Sequence, residues 1–109
     1  MLLDECVPRK LRRELLGHEV RTVQETGWTG TKNGALLQLA NGRFEVLLTV
    51  DQRIEYQQNL ESLAPPGLAV LIMVARSNNV DDLRPLMPGV RDALRTVRAG
   101  EVIRVSMTM

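Results

Sequence analysis

The apolar positions of this chain fall into short runs, and their spacing changes from run to run. Met1-Leu2-Leu3 is apolar and stops at Asp4-Glu5, as a short buried strand does where its end meets solvent. Pro8 suits the first turn of a helix, and Leu11, Leu15 and Leu16 follow as an apolar stripe at helical spacing, with Gly17 as its stop. Between His18 and Val23, Val20 and Val23 bracket polar residues and predict a second strand. Gly27, Gly30 and Gly34 predict a loop, and Leu36, Leu37, Leu39 and Ala40 a short helix that stops at Asn41-Gly42. Phe44–Val50 reads FEVLLTV, the clearest strand, and ends at Asp51. Gln52–Ser62 predicts a polar helix anchored by Ile54 and Leu60, broken by Pro65-Pro66-Gly67.

Leu68–Ala75 is apolar at every position, which predicts a strand buried on both faces. Arg76-Ser77-Asn78-Asn79 then supplies a cap for a helix whose apolar residues, Val80, Leu83, Met87, Val90, Leu94 and Val97, lie three or four apart. Asp81 and Asp82 near its start and Arg95 and Arg98 near its end suit the helix dipole. Pro85 and Pro88 interrupt it, so a kink or two short helices are expected. Glu101–Val105 predicts an edge strand and Ser106–Met109 a frayed tail. Alternating strands and helices with fully buried strands predict one α/β domain over residues 1–109, a mostly parallel five-stranded sheet with helices on both faces. In the order 2-1-3-4-5 the first and third strands lie side by side where the winding reverses, and open α/β sheets bind ligands there, beyond the carboxyl ends. Asp4 closes the first strand and Asp51 the third, so the two carboxylates are expected to converge on one crevice.

Composition adds constraints. The 109 residues are 44% hydrophobic and 25% charged, as in an ordinary folded domain, and only 3% aromatic, so aliphatic side chains must fill the core. A formal charge of +1 gives no global attraction to nucleic acid or membrane, and any basic site must be local. The single cysteine, Cys6, excludes an internal disulfide and fits a reducing compartment. Acids in the first residues argue against a secretion signal, and no apolar run approaches the roughly 20 residues that span a bilayer. A cytoplasmic protein with no membrane partner is expected.

Asp4, Glu5 and Asp51 carry the main chemical signal. Carboxylates crowded into one crevice repel unless a cation or a proton separates them, so Mg²⁺ or Mn²⁺ is the natural occupant. The structural alternative is that Asp4 caps the loop or helix after the first strand and Asp51 the segment after the third. Relief of repulsion would make Asp51→Asn raise the metal-free melting temperature; capping would make it fall. Arg76, at the end of a buried strand, suits a phosphate contact or an ion pair with nearby acids. Lys32 and Asn33 stand in the glycine loop as a rim of the crevice, and Trp28 either packs or stacks on a base. Arg9, Lys10, Arg12 and Arg13 crowd the first helix, facing either solvent or an anion near Asp4 and Glu5. Cys6 reads as a small buried side chain, not a nucleophile.

The segments LLDECVPRKLRRELLGHEV, GWTGTKNGALL, FEVLLTVDQ and the ARSN stretch before DLRPL, taken in order, resemble a family of small bacterial PIN-like proteins. The resemblance spans Leu2 to Val105. It implies a parallel α/β fold, clustered acids that hold Mg²⁺ or Mn²⁺, cleavage of RNA, and the role of toxin beside a cognate antitoxin. By motif it carries the first acidic position to Asp4, with Glu5 beside it, and the acid of the T-x-D motif to Asp51. Asp4, Glu5 and Asp51 are then the catalytic set, Asp4 and Asp51 the metal ligands, and Arg76, Lys32, Asn33 and Arg9 the substrate contacts. Asn33 and Arg53 stand where many relatives carry further acids, and Glu55 is a possible stand-in. The alternative reading is a PIN-like module that has lost catalysis and binds nucleic acid or protein. A phosphoacceptor regulatory domain is the third, disfavoured because Arg76, not a lysine, follows the late buried strand. The apolar C-terminal half and its edge strand predict a homodimer.

Overall fold

A computed structural model of the chain describes residues 1–53 and 67–107. Five strands, β1 (Leu2–Leu3), β2 (Arg21–Thr22), β3 (Val46–Thr49), β4 (Ala69–Val74) and β5 (Val102–Ser106), form one sheet in the order β2-β1-β3-β4-β5. Every neighbouring pair is parallel, so the sheet is all-parallel and its winding reverses between β1 and β3. A sheet built this way must be covered on both faces, because each crossover lays a helix on one of them.

Alternation along the strands divides the core. Leu3, Leu48, Leu71, Met73 and Val105 point to one face, where they meet Leu11 and Leu15 of the first helical segment and Leu83, Leu86, Met87 and Val90 of the C-terminal helices. Leu2, Leu47, Val70 and Ile72 point to the other, against Val23, Leu36, Leu37 and Ala40. The continuous apolar run of β4 is the sequence trace of this two-sided burial.

The helices are shorter than the pattern suggested. Residues Arg9–Glu14 form a 3-10 helix, and Leu16 is 85% exposed, so it leaves the stripe that Leu11 and Leu15 begin. The second strand ends at Thr22, and Val23 opens α1 (Val23–Thr26) in place of continuing it. The cause is a reciprocal cap: the Thr22 hydroxyl accepts from the Glu25 backbone N–H, and the Glu25 carboxylate accepts from the Thr22 N–H. Helix α2 spans Asn33–Ala40. The predicted C-terminal helix is divided as its prolines require, into α3 (Val80–Leu83), a 3-10 turn (Arg84–Leu86) and α4 (Met87–Thr96). Asn79 caps α3 by accepting from the Asp81 N–H. Gly89 lets α4 lie close on β5, since a Cβ there would meet Val105 Cγ1 at 2.9 Å.

Ser106 closes β5 and so leaves the expected frayed tail. The predicted helix beyond Arg53, with Ile54, Glu55, Tyr56 and Leu60, the Pro65-Pro66 break and the last two residues lie outside the described residues. Among the described residues, no helix is long and apolar enough to cross a membrane.

Candidate acidic crevice at the carboxyl end of the sheet

The β1·β3 ladder extends one residue past β1, where the Asp4 N–H donates to the Leu48 carbonyl at 3.0 Å. This fixes Asp4 beside the end of β3, at the point where the winding reverses. Asp4 is 7% exposed, and both carboxylate oxygens are engaged. Oδ1 accepts from the Glu5 N–H at 2.8 Å, and Oδ2 accepts from the Thr49 hydroxyl at 2.7 Å.

Thr49 is fully buried and is the hub of the site. While its Oγ1 donates to Asp4, it accepts from the Asp51 N–H at 3.1 Å and lies 3.6 Å from Cys6 Sγ. One hydroxyl thereby joins the strand-end acid of β1 to the residue that follows β3. The T-x-D pattern carried this signal, because a polar residue at the last position of an apolar strand must find partners when it is buried.

Asp51 is 19% exposed and is bound by its neighbour Arg53. Oδ1 accepts from the Arg53 N–H at 3.0 Å and from Nε at 3.1 Å, and Oδ2 from Nη2 at 3.4 Å. The Arg53 guanidinium is held more firmly protonated by this carboxylate. Asp4 and Asp51 thus both accept backbone N–H bonds as the capping alternative requires, and they also lie together as the convergence argument requires. With Cys6, Thr31 and Val50 they line an open depression of about 470 Å³, which Glu5 and Arg53 complete.

Glu5 has a separate task. Its Oε1 accepts from the Gly30 N–H at 2.7 Å. Gly30 has φ +81° in a turn closed by the Thr31 N–H donating to the Trp28 carbonyl at 3.1 Å, a backbone that favours glycine. Glu5 therefore latches the glycine loop, and Thr31 lines the depression. Lys32 is exposed just before α2, which Asn33 opens. Trp28 packs: its ring meets Phe44 edge-on at 6.1 Å, and the Arg43 guanidinium lies 5.6 Å from its centroid.

Cys6 is half-buried, not fully buried, and it lines the crevice. Burial, and next the negative charge of Asp4, push its thiol pKa up, which leaves it a poor nucleophile. Arg76 is exposed after β4 and forms no ion pair among the described residues, so the ion-pair alternative does not describe it. Arg9 is exposed on the 3-10 helix. Arg12 pairs with Glu25 and is not part of the lining of the depression. The structure thus gathers Asp4, Glu5 and Asp51, and leaves Arg9, Lys32 and Arg76 outside the lining of the depression. Among the described residues, no group of three or more His, Cys, Asp or Glu side chains is placed to hold one metal ion.

A search against protein-family models, curated proteins and solved structures finds no match to this chain.

Proposed function

We propose that the crevice takes Mg²⁺ or Mn²⁺ at Asp4 and Asp51, and that the chain is a PIN-like, toxin-type endoribonuclease. The observation that carries this reading is the tie through Thr49, which brings two strand-end carboxylates into one depression at the reversal of the winding. Two carboxylates are what Mg²⁺ usually takes from a protein, its remaining positions going to water and phosphate oxygen, so the donor set fits. When bound, such an ion supplies Lewis-acid polarisation of a phosphodiester and an activated water.

The chain's own contribution is placement. Thr49 and the Glu5 N–H hold the Asp4 carboxylate in one orientation, so little reorganisation is needed when a ligand arrives. Glu5 orients the glycine loop. Arg9, Lys32, Asn33 and Arg76 stand in connections that leave the carboxyl ends of strands, where positive and polar groups meet a polynucleotide backbone. A cytoplasmic location accords with the free thiol of Cys6. A cognate antitoxin and a homodimer through the β5 edge complete the reading.

A second reading, a PIN-like module that binds nucleic acid or protein without catalysis, is favoured by one observation: Arg53 already neutralises Asp51. Incubation of labelled single-stranded RNA with the protein and millimolar Mn²⁺ separates the two. Cleavage by the wild type that Asp4→Asn and Asp51→Asn abolish supports the nuclease. RNA retained but uncut, with no Mn²⁺ bound, rejects it in favour of the binding module.

A further inference from the structure

Arg53 lies two residues beyond Asp51 and closes on it through three donors: its own N–H, Nε and Nη2. A guanidinium on a carboxylate occupies the lone pairs that a divalent cation would use, so the two positive charges compete for Asp51. The pair is lopsided. Asp51 is mostly buried at 19% exposure, whereas Arg53 is 75% exposed and has room to swing away. An ion pair with one partner so exposed is weak and readily displaced. The planar fork of arginine matches a phosphate as well as it matches a carboxylate. Arg53 also stands on the rim of the depression that Asp4 and Asp51 line.

We infer that Arg53 is a displaceable counter-ion that couples phosphate binding to cation binding: it neutralises Asp51 in the free chain and turns to the phosphodiester in the loaded site. The inference rests on the crevice being a cation site. Drawing the Arg53 guanidinium off removes its Nε and Nη2 from the Asp51 carboxylate, so cation and phosphate bind with positive cooperativity. The same residue protects the empty crevice from repulsion between its acids. Metal loading is then biased toward the moment when substrate is present.

The test is Mn²⁺ binding by calorimetry to the whole chain, wild type and Arg53→Gln, with and without millimolar dimethyl phosphate, a diester that resists hydrolysis. Arg53→Gln is expected to bind Mn²⁺ about two- to fivefold more tightly than wild type, the range an exposed ion pair supports. Dimethyl phosphate is expected to tighten Mn²⁺ binding in wild type and to do so less in Arg53→Gln. In an Asp51→Asn background the Arg53 substitution should make no difference to Mn²⁺ affinity. If wild type binds Mn²⁺ and Arg53→Gln binds it no more tightly, the counter-ion role is overturned while the cation site stands. If the diester tightens both proteins equally, Arg53 is not the phosphate contact and the coupling is rejected. If neither protein binds Mn²⁺, the cation site and the inference fall together.

Discussion

The two ends of the sheet differ in a way that volume alone misrepresents. The larger cavity, about 640 Å³, lies at the amino end, among Met1, His18, Glu19, Arg43, Glu45 and Arg98. The carboxyl-end depression is smaller and more open. At the amino end the charges are of both signs, and some have structural work already. The Met1 ammonium donates to the Glu19 carbonyl, and Arg43 rides over Trp28. At the carboxyl end, Asp4, Glu5 and Asp51 share one depression, the Asp4 carboxylate takes the buried Thr49 hydroxyl, and Arg53 lies on Asp51. Among the described residues, charge is more one-sided at the carboxyl end, and there it rests on a buried support.

Breaking the carboxyl end should cost most. Asp4→Asn is expected to reduce Mn²⁺-dependent RNA cleavage by about 10²–10³-fold. Arg98→Ala, at the amino-end cavity, should leave the rate unchanged. Equal losses in both variants would erase the functional distinction between the two ends.

Thr49→Val tests the support beneath the charge. It strips the buried Asp4 Oδ2 and the Asp51 N–H of their partner, and is expected to cost about 1–3 kcal/mol in urea unfolding. Thr49→Ser, which keeps the hydroxyl, should recover most of that. The Arg53 contacts reverse the stabilisation that repulsion alone predicts for Asp51→Asn. With Arg53 bonded to that carboxylate, a small drop in metal-free melting temperature is expected.

Cys6 reports the field of the crevice. Its raised pKa means less thiolate at pH 8 than an ordinary cysteine has, so alkylation by iodoacetamide should be slower than that of free cysteine. Asp4→Asn removes one cause of the shift and should speed it. Alkylation of the wild type as fast as free cysteine would show that the thiol is not screened by burial.

The smallest effect lies outside the depression, just past the carboxyl end of β2. The Thr22 backbone N–H and then Arg12 hold the Glu25 carboxyl below its ordinary pKa. The folded state therefore binds this proton less readily than the unfolded chain. The contribution to stability is present above the ordinary glutamate pKa and is lost as pH falls through the lower, folded value. Glu25→Gln should be slightly less stable than wild type at neutral pH and indistinguishable from it once the carboxyl is protonated in both states.

The strands and the acids that follow them were legible from local apolar runs, and the strand order, which brings Asp4 and Asp51 together, from the usual winding of an open parallel sheet. Pro85 and Pro88 marked the division of the C-terminal helix for the same reason. The T-x-x-E spacing from Thr22 to Glu25 also announced a helix start, but Val20 and Val23 carried the reading toward a longer strand. Leu16 was misread because helical spacing alone does not show where a 3-10 segment ends. Tertiary placement was the least legible. That Arg12 reaches Glu25, that Glu5 grips Gly30, and that Arg53 folds back on Asp51 depend on backbone paths that residue types do not specify.

The all-parallel sheet also dictates an order of assembly. Leu2 and Leu3, near the start of the chain, pair with Arg21 and Thr22 on one side and with Leu47 and Leu48 on the other. No hairpin can template these contacts, and long-range parallel pairing is slow because loop closure precedes any gain from it. During synthesis Asp4 emerges before Thr49 and has no such partner until β3 has been made. β3 in turn is flanked by β4, which is itself flanked by β5. The acidic crevice therefore cannot form until β3 has been made, and a nascent chain carries Asp4 before it has Thr49 to bond it.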